Sequence, residues 1–118
     1  MRIEVRFRHM ERSEALETFA LDKVGQAVEE FGHRHDSHVL VWLVSELNLV
    51  NRGTGEFICE IEVRVPRRKQ YFVSRASTDM HTSIVEAVDR LKTVLDEAGK
   101  KEISQRNEAG RFTPPSLT

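Results

Sequence analysis

An alternating segment in the middle of the chain constrains the fold most strongly. Over residues 57–65 every second residue is apolar, and the residues between them include Glu60, Glu62 and Arg64. A period of two places the apolar side chains on one side of a strand and the charged side chains on the other. Such a strand needs neighbouring strands and a covering layer over its apolar side. The segment therefore predicts a sheet with one buried face and one open face.

Three further segments predict the neighbouring strands. Residues 1–8 alternate in the same way, with apolar residues at the odd positions. Residues 38–47 are rich in β-branched and aromatic side chains and are too short for a convincing helix. Residues 70–76 resume an extended pattern after a turn that contains Pro66. We therefore expect four strands.

The segment after the first strand predicts an amphipathic helix. Apolar residues recur every three or four positions from Leu16 to Phe31, which is the spacing of one helix face. Ser13 is suited to cap the first turn, and Gly32 is suited to end the helix. This helix would pack its apolar stripe on the buried face of the sheet.

A second amphipathic helix follows the last strand. Its apolar stripe runs from Ile84 to Leu95, and residues 77–78 (Ser-Thr) are expected to supply the N-cap, with Asp79 in the first turn. Gly99 is expected to end it. These features predict a helix of about five turns, at 3.6 residues a turn.

The predicted order is β-α-β-β-β-α, an α+β fold in which two helices pack on one face of a four-stranded sheet as a two-layer sandwich. With 118 residues, the chain has room for one domain. We assign this domain to residues 1–101 and residues 102–118, which contain Pro114 and Pro115, to a flexible C-terminal tail. After Gly99 we expect a frayed helical extension and then disorder. The predicted core residues are Ile3, Val5, Phe7, Leu16, Phe19, Val24, Cys59, Ile61, Val63, Ile84, Val88 and Leu91.

Composition excludes several classes of protein. The longest apolar run, residues 39–44, is far below the roughly 20 residues that cross a bilayer, and the N-terminal segment lacks the apolar centre of a signal peptide. The single cysteine, Cys59, rules out an intramolecular disulfide and a Cys-rich zinc site, and its place on the buried side of a strand predicts an inert thiol. We expect a cytoplasmic domain that has no membrane contact and no cofactor.

The sequence offers one cluster that resembles a metal site. His33, His35, Asp36 and His38 fall within six residues, and imidazole and carboxylate groups bind transition metals. The spacing matches no specific zinc motif, and the cluster lies in a predicted turn, so we expect a solvated connector and keep metal binding as an alternative. No nucleophile elbow or phosphate-binding loop is present. We therefore expect no enzyme.

The positive charge is concentrated locally, although the net charge is −1. Residues 67–78 contain Arg67, Arg68, Lys69 and Arg75 and no acidic residue. Such a cluster is typical of proteins that bind nucleic-acid phosphates. A charged hairpin tip also remains solvated and resists aggregation. Charge alone does not decide between these two interpretations.

Other basic residues could join this patch. Arg6 and Arg8 extend positive charge along the exposed side of the first strand, and Arg90 and Lys92 lie on the second helix. Whether these residues converge depends on how the fold arranges the elements, which the sequence does not specify.

Two segments carry a family resemblance. Residues 13–16 (Ser-Glu-Ala-Leu) open the first helix, and Phe19 and Lys23 follow at spacings typical of the family. Residues 79–84 (Asp-Met-His-Thr-Ser-Ile) open the last helix, and residues 89–91 (Asp-Arg-Leu) follow. Over residues 1 to about 101, the order of elements and these motifs resemble the ribosome hibernation promoting factors, also called ribosome-associated inhibitors or sigma-54 modulation proteins.

The resemblance implies a protein that is not an enzyme and binds the small ribosomal subunit. Members of this family occupy the channel for mRNA and tRNA, block translation, and stabilise idle ribosomes in stationary phase or under stress. The contacts implied are those of basic side chains with rRNA phosphates, made by shape and charge more than by base sequence. The length of the chain resembles the short form of the family.

The resemblance also implies site residues. Lys23, Arg90, Lys100 and Lys101 match basic positions of the family, and we add the cluster of Arg67, Arg68 and Lys69 from charge. Together these seven residues form the predicted rRNA-binding set.

The sequence departs from the family on the last helix. His81 stands where the family has tyrosine, Val85 stands where it has aspartate, and residues 93–99 are apolar and acidic where the family is usually basic. An alternative function is therefore a divergent member that acts as a protein-interaction or dimerisation module, with a weak homodimer as its product. In that alternative, apolar residues on the open side of the strands form the contact surface: Leu40, Trp42, Val44 and Ile58.

Overall fold

The structure is a computed structural model that describes residues 2–30, 37–48, 54–65 and 70–110, with side chains described for 2–30, 37–46, 56–65 and 70–98. The predicted α+β sandwich with the order β-α-β-β-β-α is confirmed. The elements are β1 (Arg2–Arg8), α1 (Glu14–Glu30), β2 (His38–Asn48), β3 (Thr54–Arg64), β4 (Gln70–Ser77) and α2 (Met80–Gly110).

The four strands form one sheet in the order β1-β2-β3-β4. β1 and β2 are parallel, and the other two pairs are antiparallel. A parallel pair requires a crossover connection, and α1 lies within that connection. The register places Val5, Val41, Ile61 and Val73 in one row across the sheet on the face that the helices cover.

The core lies between this face and the two helices. Seven of the twelve predicted core residues are buried, and the other five (Ile3, Val5, Phe7, Leu16 and Phe19) are partly buried and pack against them. The prediction omitted β2, whose residues are apolar on both faces, so that alternation did not show which face is buried. The fully buried residues that β2 adds are Val39, Val41 and Leu43.

The two helices begin at different kinds of cap. Ser13 caps α1 as predicted, because its Oγ accepts a hydrogen bond from the Leu16 amide at 3.3 Å. The N-cap predicted at residues 77–78 of α2 is wrong. Asp79 is the cap, and its Oδ2 accepts a hydrogen bond from the Thr82 amide at 3.0 Å. The reason is that Ser77 is the last residue of β4.

The predicted end of α2 at Gly99 is also wrong, because the helix continues to Gly110. A glycine inside a helix costs only about 1 kcal/mol relative to alanine, and the lysines, glutamates and glutamine around and after it favour the helix. The first residues of the predicted tail, 102–110, are therefore helical, and the domain boundary at residue 101 stays a prediction. No helix among the described residues combines the length and the hydropathy needed to cross a membrane.

Candidate nucleic-acid interface

α1 and α2 lie side by side and run in the same direction. The rings of Phe19 and His81 have centroids 4.9 Å apart near the N-terminal ends, and Glu30 Oε2 lies 3.8 Å from Lys92 Nζ further along. In both pairs the partners are 62 residues apart in sequence, so the helices keep one register along this length. We refer to α1 and α2 together as the helix layer.

Lys23, a predicted site residue, lies in the middle of α1, one turn after Phe19. Its Nζ is 5.7 Å from the centroid of the Phe19 ring, and the edge of that ring meets His81. The three side chains therefore form a connected group of one cation and two rings. The resemblance pointed to Phe19, Lys23 and His81 separately. Phe19 and Lys23 are four residues apart on α1, whereas the contact of Phe19 with His81 depends on how α1 packs against α2.

Arg90, a second predicted site residue, lies on an open groove beside β4. Arg75, Glu86, Asp89, Arg90 and Thr93 line this groove. Arg75 is exposed, and its Nη1 donates a hydrogen bond to the carbonyl oxygen of the preceding residue at 2.9 Å. Two arginines and two carboxylates share the groove, so it is not a purely cationic surface.

The helix layer is acidic as a whole. α1 contains five acidic residues and one basic residue, and residues 80–98 of α2 contain four acidic and two basic residues. One of these cations, Lys92, is paired with Glu30. Lys23 and Arg90 are therefore separate cations on a negative surface.

The other predicted site residues lie beyond the described side chains. Arg67, Arg68 and Lys69 are outside the described residues, so their convergence with Lys23 or Arg90 stays a prediction. Lys100 and Lys101 lie within α2, but their side chains are outside the description.

The predicted metal cluster is only partly described. Residues 33–36, which include His33 and His35, are outside the described residues. His38 Nε2 lies 3.0 Å from Glu4 Oε2 on the sheet. Among the described residues no group of three or more potential metal ligands is found.

The sheet face opposite the helices carries a second cationic feature, along β1. Arg8 Cζ lies 4.5 Å from the centroid of the Trp42 ring, and Arg6 Cζ lies 5.8 Å from it. The sequence indicated that both arginines are on the exposed side, but it did not indicate that both contact Trp42. That contact depends on the register of β1 against β2, in which Arg6 is opposite Trp42.

The same face carries the apolar residues of the dimerisation alternative. Leu40, Trp42 and Ile58 are half-buried, whereas Val44 is 2% exposed and therefore cannot serve as a contact residue. Phe72 of β4, which sequence reasoning did not select, is 61% exposed. The apolar surface on the open face is therefore arranged differently from the predicted set.

Glu4 is the centre of the charged contacts on β1. Arg2 Nη2 lies 3.3 Å and Arg6 Nη2 3.6 Å from its carboxylate oxygens, in addition to the His38 contact. The hydrogen bond with His38, followed by the charges of Arg2 and Arg6, lowers the pKa of Glu4 from its ordinary value. Glu4 thus offsets much of the charge of two arginines, while Arg8 has no such partner among the described residues.

Cys59 is buried, as predicted. Burial in the core raises the pKa of its thiol to about 12, with a smaller contribution from Glu60. The neutral thiol is a poor nucleophile, so the side chain acts as a packing residue.

Comparison with known proteins supports the fold and identifies the family. The fold is similar to a ribosomal subunit interface protein from Coxiella burnetii, with a TM-score of 0.63 and 17% identity over 83% of this chain and 97% of that chain. It is also similar to the N-terminal domain of Protein Y from Thermus thermophilus, with a TM-score of 0.60 and 21% identity over 82% of this chain and 98% of that chain. A comparison with curated protein sequences finds no match. The family model described as sigma 54 modulation protein / S30EA ribosomal protein matches residues 3–102, so the predicted resemblance is confirmed and the chain belongs to this family.

Proposed function

We propose that the protein binds the small ribosomal subunit through rRNA and holds ribosomes inactive under stress or in stationary phase. The observation that carries this proposal is the family match over residues 3–102, which covers β1 to β4, α1 and the first three-quarters of α2. The names of the similar structures, a ribosomal subunit interface protein and Protein Y, agree with it. The proposed setting is the cytoplasm, where ribosomes translate.

The proposed mechanism is steric occlusion without a catalysed reaction. A folded domain in the channel for mRNA and tRNA excludes both ligands, and basic side chains hold it there by contacting phosphates. The proposed contacts come from Lys23 and Arg90 on the helix layer, Lys100 and Lys101 further along α2, and the hairpin residues 67–69. Since the helix layer is acidic, we expect binding to depend on few phosphate contacts and to be weak at high salt.

Co-sedimentation with purified small subunits tests this function. We expect the protein to pellet with subunits at low salt and to be released as salt rises, because each phosphate contact displaces counterions. Inhibition of translation in a cell-free system should follow the same salt dependence. Absence of co-sedimentation at low salt, or binding that does not change with salt, would contradict the proposal.

Matched variants test the residues. Lys23→Gln and Arg90→Gln should each weaken binding and reduce the slope of log affinity against log salt by about 1. Lys92→Gln is the control, because this lysine lies on the same layer but is already paired with Glu30. Equal effects of Lys23→Gln and Lys92→Gln would remove Lys23 from the site.

A double variant tests the hairpin. Arg67→Glu with Arg68→Glu should weaken binding and leave the melting temperature unchanged, since the sequence predicts a turn here and solvated charges contribute little to stability. Unchanged affinity in this variant would remove residues 67–69 from the interface without affecting the proposal for the helix layer.

A further inference from the structure

The Arg6, Arg8 and Trp42 side chains form a stack on the open face of the sheet, which we call the Trp42 stack. Arg6 is directly opposite Trp42 in the parallel β1–β2 pair, and Arg8 follows two residues later on the same side of β1. Their Cζ atoms lie 5.8 and 4.5 Å from the ring centroid, within the range of a cation–π contact. Both arginines are exposed and Trp42 is half-buried, so the stack borders solvent.

Arg8 differs from the other arginines of the N-terminal part of the chain. Arg2 and Arg6 contact Glu4, and Arg12 forms an ion pair with Glu17 at 2.7 Å. Within the described residues Arg8 has no carboxylate partner. Its guanidinium lies over the Trp42 ring, and no carboxylate among the described residues pairs with its charge.

The charge on the open face is distributed unevenly around the stack. On β1, the residues that point to this face are three arginines and one glutamate: Arg2, Glu4, Arg6 and Arg8. The β3 residues on the same face include Glu56, Glu60 and Glu62, and Glu60 is opposite Trp42. Since β1 is an edge strand, an anionic ligand can reach the stack from the β1 side, away from these glutamates.

A planar guanidinium stacked on an indole presents one more flat face and several N–H donors. The ligand that uses both features has a flat ring and a nearby phosphate, which is the chemistry of a nucleotide. Unpaired bases stack on aromatic side chains and on arginine, whereas the bases of a duplex are stacked on each other and unavailable. This comparison favours a single strand over a duplex.

We propose that the Trp42 stack is a binding site for single-stranded RNA, in which an unpaired base stacks on the Arg8–Trp42 pair and adjacent phosphates contact Arg6 and Arg8. The site lies on the face of the sheet opposite the helix layer. It is therefore separate from the contacts proposed for Lys23 and Arg90, and it does not depend on ribosome binding.

Trp42 is the only tryptophan of the chain, so intrinsic fluorescence reports this site directly. The probe is an oligoadenylate of about ten nucleotides, near the length that one small domain contacts. At low salt we expect saturable quenching as a base stacks at Trp42, and much less quenching by the same strand in a duplex. Rising salt should weaken binding, with a slope of about −0.7 for each phosphate contact.

Substitutions at Arg8 separate stacking from simple charge attraction. Arg8→Gln should weaken oligoadenylate binding about tenfold, and Arg8→Lys, which keeps the charge and loses the flat guanidinium, should restore only part of it. Arg64→Gln is the matched control. It removes an arginine from the same sheet face, but one that is paired with Glu62 at 3.1 Å, so binding should stay near wild type.

Two further variants test the geometry. Glu60→Gln should tighten binding several-fold, because it removes a negative charge opposite Trp42. Trp42→Leu should abolish binding measured by anisotropy of a labelled strand. Thermal melting of each variant checks that the fold is retained, and Arg8→Gln keeps the test decisive if Trp42→Leu does not fold.

Several outcomes would overturn the proposal. One is the absence of quenching at low salt, and another is equal loss of binding in Arg8→Gln and Arg64→Gln. Stronger binding of the duplex than of the single strand would mean that attraction to the phosphate backbone, and not base stacking, explains the binding. Light scattering supplies a further outcome. If the protein forms a concentration-dependent dimer that Arg8→Gln disrupts, and does not bind oligoadenylate, the open face is an interface with a second copy of the chain.

This test is independent of the proposed ribosome function. Lys23→Gln should leave oligoadenylate quenching unchanged, because Lys23 lies on the other side of the sheet. Loss of small-subunit binding with normal quenching would contradict the proposed function alone, and the reverse result would contradict the Trp42 stack alone.

Discussion

His38 Nε2 lies 3.0 Å from Glu4 Oε2 and joins β1 to β2 on the open face of the sheet. The two residues are 34 positions apart in sequence, and the parallel pairing of the strands brings them together. Arg2 and Arg6 contact the same carboxylate. Glu4 therefore connects Arg2 and Arg6 of the edge strand β1 with His38 of β2.

Removal of the Glu4 charge should alter the acid limb of the stability curve. The pKa of Glu4 is lowered in the folded state, chiefly by the hydrogen bond with His38. The contribution of the Glu4 carboxylate to stability is therefore fully present at pH values above its ordinary pKa of 4.5. That contribution is lost as the pH falls through the lowered folded-state pKa. Urea unfolding between pH 7 and pH 3 should therefore show a shallower decline for Glu4→Gln than for wild type.

The control for this experiment is Glu11→Gln. Glu11 is exposed and makes no ion pair with another described residue, so its variant should follow the wild-type curve. Parallel acid limbs for wild type and Glu4→Gln would show that the contacts of Glu4 do not stabilise the fold.

Ser83 links α2 to the sheet through a buried hydroxyl. Its Oγ donates a hydrogen bond to the carbonyl oxygen of Phe57 on β3, and it lies 2.9 Å from Ser77 Oγ. Ser83→Ala removes the hydroxyl that donates to the Phe57 carbonyl, so we expect a loss of about 1–3 kcal/mol in the free energy of unfolding. Urea denaturation measures this loss.

The matched control for Ser83 is Thr93→Ala. Thr93 is an exposed hydroxyl residue of the same helix and bonds only within it, to the Asp89 carbonyl at 3.2 Å. We expect its substitution to change stability by no more than about 0.5 kcal/mol. A loss as large as that of Ser83→Ala would mean that helix propensity, and not the link to β3, explains both results.

The fold could be predicted from sequence where a local pattern has one physical cause. The alternation of β3 fixed its buried face, and Ser13 was correctly identified as a cap because no strand ends there. Ser77 has the same chemistry, but it completes β4 before the helix begins, so the cap passes to Asp79. Gly99 predicted a helix end, whereas good helix formers on both sides carry α2 past it.

The functional surfaces could be predicted only as separate residues. Lys23 was identified from the resemblance, and its contact with Phe19 follows the four-residue spacing of one helix face, but the contact of Phe19 with His81 depends on the packing of α1 against α2. Trp42 and Arg8 are far apart in sequence, and alternation assigns each to a face without giving the register between their strands. Long-range register is what single-sequence patterns lack.

The Asp79 cap should stabilise α2 in a pH-dependent way. The Thr82 backbone amide and then the Thr82 hydroxyl donate to its carboxylate and lower the pKa of Asp79. Asp79→Ala should lower the free energy of unfolding at pH 7, and Asp79→Asn, which keeps a cap acceptor, should lower it less. Chemical denaturation of the three proteins compares these losses at neutral pH.

The sign of the pH effect follows from the lowered pKa of Asp79. The charged Asp79 carboxylate contributes fully to stability at pH values above its ordinary pKa of 3.8. This contribution is lost as the pH falls through the lower pKa of the folded state. Wild type should therefore approach the stability of Asp79→Asn in acid. A constant difference between the two proteins from pH 7 to pH 2.5 would contradict a role for the charge.

The Cys59 thiol should be unreactive in the folded protein. Burial raises its pKa to about 12, so at pH 8 nearly all of the thiol is protonated, and the core also excludes the reagent. We expect a disulfide reagent such as dithiobis-nitrobenzoate to label the native protein slowly, at a rate set by opening of the core, and to label it rapidly in denaturing urea. Cys59→Ala supplies the background signal. Rapid labelling in the absence of urea would mean that the core around Cys59 opens far more readily than its complete burial indicates.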